Sequence, residues 1–377
     1  MIYKNFHDKA LSALGLGCMR LPVCKDDANK IDEGAAREMV AYAMEKGINY
    51  YDTAWGYHNG ESEVVMGRIL NDYPRESYYL ATKFPGYDVS NMGKVEQIFE
   101  KQLEKCGVDY FDFYLFHNLS EKNVDLYLDP KFGILDYLLR QKANGRIRHL
   151  GFSAHGTIAT MRRFLEAYGE HMEFCQIQLN WLDWTLQNAR GKVELLREYG
   201  LPIWVMEPIR GGALAKFAPE YEERMNRIRP DTSAPEWAFR FLQTFPDVTV
   251  TLSGMSNMDQ LRENIATFEE EKPLGEAEKE ALLGVARDMT EKTTLPCTAC
   301  RYCTSYCPQG LDIPRIIELY NELSCSGGLF LVSLAIAGMP EDKRPSACIG
   351  CRACEEVCPQ NIKISEMMRD FTEKLKK

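Results

Sequence analysis

YYLATKFPGYDVSNMGKVEQIFEKQLEKCGVDYFDFYLFHN, residues 78–118, reads as one repeating unit of a larger fold. Its two ends, YYLATKF (78–84) and FDFYLFHN (111–118), are short aromatic and β-branched runs that close on polar residues. Runs of this kind suit strands buried on both faces of a parallel sheet. Between them, MGKVEQIFEKQLEKCG (92–107) carries apolar residues at helical spacing and ends on a glycine suited to a helix C-cap. The same unit recurs along the chain. Further strands are predicted at 10–21, INYYDTA (48–54), IRHLGFSA (147–154), CQIQLNW (175–181), PIWVMEP (202–208) and VTVTLSGM (248–255), separated by amphipathic segments such as EGAAREMVAYAMEKG (33–47).

Eight strand–helix units up to about Phe268 predict an α/β chain closed into a (β/α)8 barrel. A doubly wound open sheet is the competing architecture. It would bring a G-x-G-x-x-G loop after its first strand, where GLGCMRL has only two glycines. The barrel is expected over residues 1–290 and a small, mainly helical domain over 291–377.

Composition narrows the function class. The chain has 377 residues, 45% hydrophobic and 27% charged, which is globular usage. Its net charge of −10 argues against nucleic acid, which rewards a basic face. The longest apolar run, GGLFLVSLAIAGMP (327–340), is too short to span a bilayer; it reads as a buried helix, with membrane contact as the alternative. Of the 13 cysteines, eight sit in two short blocks and five are scattered, which is not a disulfide framework and points to metal in a reducing, cytoplasmic setting.

In a (β/α)8 barrel the chemistry sits at the C-terminal strand ends. Asp52, Lys83 and His117 end the second, third and fourth predicted strands, and Tyr57 follows Asp52 in the loop. Any one of these could be a satisfied structural residue, but four converging on one rim point to catalysis. An ammonium beside a phenol favours phenolate, a carboxylate fixes the ammonium, and an imidazole can orient a carbonyl. Together they form a proton donor aimed at an oxygen that gains charge as hydride reaches carbon.

In order, spacing and position, Asp52, Tyr57, Lys83 and His117 resemble the catalytic tetrad of the aldo/keto reductase superfamily, over about residues 10 to 268. GLGCMRLP, GFSAHG (151–156), CQIQLN and SGMSNMDQLREN (253–264) are similar to further segments of that family. The resemblance implies Tyr57 as general acid, Asp52 and Lys83 tuning it, and His117 orienting the carbonyl. It implies Ser153 and Gln176 on the nicotinamide carboxamide, and Ser256, Gln260 and Asn264 on the adenosine half. It implies NADP(H), with NAD(H) as the alternative, because Gly254 and Gln260 stand where many members carry cations and only Arg262 lies near. Ala154 and Glu207 are further departures from common family residues. Trp55, His58, Phe84, Trp181 and Trp184 are expected in or beside the substrate pocket, favouring a sugar face or an aromatic carbonyl.

Two blocks, CTACRYCTSYCP (297–308) and CIGCRACEEVCP (348–359), each read C-x2-C-x2-C-x3-C-P. Zinc sites use paired cysteines and need neither the third nor the proline-flanked fourth. The triple spacing wraps a [4Fe–4S] cube whose fourth ligand comes from the other block. Two [4Fe–4S] clusters are therefore expected, one on Cys297, Cys300, Cys303 and Cys358, the other on Cys348, Cys351, Cys354 and Cys307. The long helical segment between the blocks resembles an α-helical ferredoxin. Hydride transfer needs no iron, so three roles stay open: electron transfer between the reductase and a partner redox protein, a barrel that only docks a partner, and clusters that are structural or oxygen-sensing.

Overall fold

The computed structural model describes residues 1–297, 300–326 and 329–376. It divides into two compact units, one of Met1–Trp184 with Asn188–Lys279, the other of Thr185–Gln187 with Glu280–Lys377. The division falls within the helix Glu276–Thr293, ahead of the expected boundary at 290/291.

The first unit opens with an antiparallel hairpin, β1 (Tyr3–Phe6) and β2 (Lys9–Ser12). Then come β3 (Leu14–Gly17), β4 (Tyr50–Asp52), β5 (Tyr79–Phe84), β6 (Phe111–Leu119), β7 (Ile147–Ala154), β8 (Phe174–Gln178), β9 (Ile203–Met206) and β10 (Val248–Ser253). These eight pair in parallel in chain order, and β10 pairs with both β9 and β3, closing the barrel. The hairpin was not expected. The predicted first strand at 10–21 divides into β2, β3 and a tight turn at Cys18–Arg20. Apolar residues run through all of it, so periodicity alone does not mark the break between antiparallel and parallel pairing.

The hairpin inserts Phe6 and Leu11 into the barrel floor beside Tyr50, Phe113, Phe174 and Trp204. Ring centroids lie 5.0 Å apart for Phe6–Trp204, 4.6 Å for Phe174–Trp204 and 5.4 Å for Phe113–Phe174. Aromatic packing fills the lower interior, so space for polar chemistry remains at the C-terminal strand ends.

Around the barrel, the helix Glu33–Glu45 starts on Asp32, whose side chain accepts the Ala35 N–H. The helix Val95–Cys106 ends on Gly107 at φ +63°, the left-handed cap its sequence predicts. This helix lies very close to Ser62–Leu70: a Cβ added at Gly67 would sit 2.6 Å from the Cys106 carbonyl oxygen.

The second unit contains no strand among its described residues. The helices Ile313–Ser326 and Ile364–Lys374 contribute Ile316, Ile317, Met368 and Phe371 to a small core, with Leu311 and Ile362 between them. The apolar run expected as a buried helix forms Leu329–Ala337 and sends Val332 and Ile336 into that core; Gly327 and Gly328 lie outside the described residues. No described helix is long and apolar enough to cross a membrane.

Because only backbone meets Gly67, nothing there can rotate aside. Gly67→Ala is expected to destabilise the barrel by about 1–3 kcal/mol, measured as a lower denaturant midpoint at unchanged slope.

Candidate active site and cluster centre

Asp52 ends β4, Lys83 lies in β5 and His117 in β6, so adjacent strands deliver three side chains to one rim. Tyr57 begins the short turn Tyr57–Gly60, in which His58, Asn59 and Gly60 take left-handed φ of 50°, 54° and 93°. The His58 Nε2 accepts the Leu21 N–H at 3.1 Å and pins this turn to the loop after β3. His58, expected in the substrate pocket, is thus engaged in holding backbone.

The Lys83 Nζ donates to Asp52 Oδ1 at 2.6 Å and to the Thr53 carbonyl at 2.8 Å, and lies 3.3 Å from the Tyr57 hydroxyl. Lys83 is wholly buried and Asp52 only 3% exposed. Tyr57 and His117 meet edge to face, with ring centroids 6.0 Å apart. Electrostatics here follow exclusion of water. Burial pushes the Tyr57 phenol up; the Lys83 ammonium pulls it back only in part, and Asp52 adds to the rise. The expected depression of the phenol is therefore a restraint on an upward shift. Burial disfavours the Lys83 ammonium, yet Asp52 and Tyr57 more than offset this and its net shift is upward. Burial also raises Asp52, against the pull of Lys83. His117 is held neutral, first by burial and then by Lys83.

A buried polar network supports Lys83 from behind. The Glu63 carboxylate accepts from Thr82 Oγ1, Gln102 Nε2 and Lys105 Nζ, each at 2.7 Å. Gln102 also donates to the Lys83 carbonyl at 3.0 Å and accepts from the Tyr114 hydroxyl at 2.7 Å. Sequence reasoning missed this network. A signal existed: Gln102 falls on the buried face of its helix with Val95, Ile98, Phe99, Leu103 and Cys106, where an amide must find partners.

Of the residues expected on the cofactor, Ser153 and Gln176 are register partners on β7 and β8. The Ser153 Oγ accepts the Asn118 N–H at 2.8 Å. The Gln176 Oε1 is buried without a hydrogen-bond partner among the described residues, as are Asp52 Oδ2 and His117 Nδ1. Such orphaned groups at a strand-end rim fit a ligand carrying an amide and a carbonyl. Ser256 and Gln260 are exposed and tied together, the Ser256 N–H donating to Gln260 Oε1 at 2.8 Å. Asn264 stands apart: it is buried and donates to Ser253 Oγ at 3.1 Å. Arg262 reaches Asp259 at 3.7 Å and lies over the Tyr42 ring. Arg20, not singled out from sequence, packs against Gly254 and Gly211, beside the loops after β9 and β10. The Asp183–Arg210 pair was also missed; it is buried, with Nε to Oδ2 at 3.0 Å.

The expected aromatic pocket is dispersed. Phe84 is buried against Tyr127 and Trp181 against Phe217, and the half-buried Trp184 packs on Phe241 and Phe245. Trp55 lies under the Lys105 ammonium, 4.7 Å from ring centroid to Nζ. Tyr87, unforeseen, packs edge to face on His117 at 5.1 Å. Side-chain direction, which sequence does not carry, decides each case.

In the second unit, one cavity is lined by Cys297, Cys300, Cys303 and Cys358 and another by Cys307, Cys348, Cys351 and Cys354. Each draws three cysteines from one block and one from the other. Apolar side chains make up much of each wall, Pro314, Ile317 and Ile362 in the first and Leu311, Ile313 and Met368 in the second, with Ile364 in both; Arg301 and Gln360 join the first, and Gln309, Arg352 and Ser365 the second. Four thiols around a dry cavity fit an iron–sulfur cluster. Arg301 and Arg352 occupy equivalent places between the second and third cysteines, both at φ +64°.

Comparison with known proteins agrees with both halves. The aldo/keto reductase family model matches residues 13–281, and a 4Fe-4S dicluster domain model matches residues 296–362. The probable aldo-keto reductase 1 of Glycine max is 30% identical over 210 residues, 54% of this chain and 57% of that protein. The NADH-specific methylglyoxal reductase of Escherichia coli (strain K12) is 27% identical over 307 residues, 69% of this chain and 91% of that protein. The aldo-keto reductase AKR11C1 from Bacillus halodurans (holo form) shares the barrel fold, with a TM-score of 0.62 and 23% identity across 76% of this chain and 96% of its own. The eight-stranded parallel barrel, its strand-end polar rim and these matches lead to one statement: the chain belongs to the aldo/keto reductase family, as an oxidoreductase with a C-terminal 4Fe-4S dicluster domain.

Proposed function

We propose that the barrel, residues 1–290, reduces the carbonyl of a small aldehyde or ketone, or runs the reverse alcohol oxidation, with Tyr57 as proton donor. The observation that carries this reading is the chain from the Asp52 carboxylate through the Lys83 ammonium to the Tyr57 hydroxyl. A reduced nicotinamide, when bound, supplies hydride. Tyr57 Oη gives its proton to the carbonyl oxygen, and the phenolate left behind is stabilised by Lys83. Asp52 keeps Lys83 charged and fixed, so the donor needs no reorganisation as charge develops. Neutral His117 holds no competing charge and offers an N–H to the same oxygen. Ser153 and Gln176 are proposed to hold the carboxamide, and Ser256, Gln260, Arg20 and the segment ending at Asn264 the adenosine half.

The sequence leans to NADP(H), yet Arg262 is engaged by Asp259 and Tyr42. That engagement, and the NADH specificity in the name of the E. coli relative, support NADH over NADPH as the preferred donor. The second domain, residues 291–377, is proposed to carry two [4Fe–4S] clusters on its two thiol quartets and to exchange single electrons with a partner redox protein. Cys300 and Cys351 are exposed, which supports access from outside. Clustered thiols of this kind support a reducing, cytoplasmic setting.

Tyr57→Phe is expected to lower kcat for methylglyoxal reduction by about 10²-fold or more, while NADH binding followed by fluorescence is unchanged. Equal turnover in the variant would remove the reductase reading. Because burial raises the phenol, Tyr57 stays protonated through neutral pH: carbonyl reduction should hold to at least about pH 9, and alcohol oxidation should climb with pH over the same range. NADH is expected to give a kcat/KM at least about tenfold above NADPH. Anaerobically purified protein is expected to count about eight irons and to lose about half in Cys358→Ser.

A further inference from the structure

A groove of about 710 Å³ lies on the flank of the barrel, between the helices Ser62–Leu70 and Val95–Cys106 and the loops that follow β4 and β5. This volume falls within the range of small-molecule sites. The groove is distinct from the rim that holds Lys83 and His117, neither of which lines it.

Its chemistry is mixed in a particular way. Lys101 and Lys105 are both present, but Lys101 is paired with Glu104 and Lys105 with the buried Glu63, each at 2.7 Å. Glu61 and Asp88 line the same space; neither takes part in an ion pair among the described residues, and Asp88 accepts the Ser90 N–H at 3.0 Å. An anion would meet these acids and a cation would meet the lysines, so net charge of either sign is disfavoured. A neutral ligand dense in hydroxyls can instead donate to the carboxylates and use the amides of Asn59 and Asn91. Trp55, half-buried and lining the groove, adds aromatic surface for C–H contact beside the part of its ring that Lys105 covers.

The backbone is also committed here. Asn59 and Gly60 both line the groove, and with His58 they hold three consecutive left-handed φ values, of which only the glycine's is without steric cost. Such conformations persist where the surroundings enforce them, often at ligand sites. We propose that this groove is a second small-molecule site, built for a neutral polyhydroxylated ligand of the saccharide or polyol class. The site joins the catalytic rim at two points. Tyr87 lines the groove while its ring packs on His117, and Lys105 reaches Glu63, whose partner Gln102 holds the Lys83 carbonyl. An occupant therefore touches the two residues that flank the catalytic groups from outside.

The test is calorimetric titration of the cluster-loaded full-length protein with glucose, xylitol, maltose and cellobiose, with succinate and putrescine as charged controls. At least one neutral probe is expected to bind saturably, with a Kd in the millimolar range or tighter, and both charged controls at least about tenfold more weakly. Trp55→Ala is expected to weaken the neutral probe by about tenfold. Should that variant fail to fold, the groove variant Glu61→Gln with Asp88→Asn is expected to give the same loss. Failure of all four neutral probes, tighter binding of a charged control, or wild-type affinity in a folded variant overturns the proposal. NADH binding is measured on the same samples, so loss of the reductase reading and loss of this site are told apart.

Discussion

A lysine ammonium with no exposure to water is the constraint around which the barrel rim is arranged. Burying such a charge is unfavourable by several kcal/mol unless an opposite charge and hydrogen bonds replace its hydration. Here Asp52 and the Thr53 carbonyl do so at 2.6 and 2.8 Å, and the remaining direction points to the Tyr57 hydroxyl. The requirement propagates outward. Lys83 must be fixed, so its strand is braced by Gln102, and Gln102 by Glu63 and Tyr114. Tyr57 must be aimed, so its turn takes left-handed backbone pinned by His58. The aromatic floor closed by Phe6 and Leu11 keeps water from entering below.

The same burial that makes the ion pair tight raises the phenol, so that Tyr57 keeps its proton through neutral pH. A donor that holds its proton through neutral pH suits reduction of a carbonyl; its ionised form suits oxidation of an alcohol. The cluster domain solves a different problem with the opposite inventory. Its cavities offer thiols and apolar walls with few competing polar groups, and the shared Ile364 stands between the two quartets. On the proposed reading, one half of the chain handles electron pairs with a proton and the other single electrons.

Much of this was legible in the sequence because the signals are periodic or combinatorial. Parallel strands buried on both faces leave continuous apolar runs, so eight of them could be counted, and the polar residue ending each run could be placed on one rim. Cysteine spacing is a direct record of ligand geometry, which is why the quartets could be written down from two short blocks. What stayed hidden depends on direction rather than identity. β2 and β3 share one apolar run, and nothing in that run marks where antiparallel pairing gives way to parallel. The tryptophans were assigned to a pocket by position, but Trp181 and Trp184 turn into packing and Trp55 turns to the flank. Asn264, which the resemblance places on the adenosine half, is buried and ties the helix Met258–Thr267 to β10 through Ser253, a direction that its identity alone does not carry.

Lys83 is proposed to act on Tyr57 as a charge. The most direct measurement is the pH dependence of alcohol oxidation in Lys83→Met beside the wild type, with nicotinamide affinity as the control for folding. Removing the ammonium takes away the one influence that lowers the phenol and leaves Asp52 unpaired, so the rising limb is predicted to move to higher pH by at least about one unit. A rising limb at the same pH in both proteins would contradict the account.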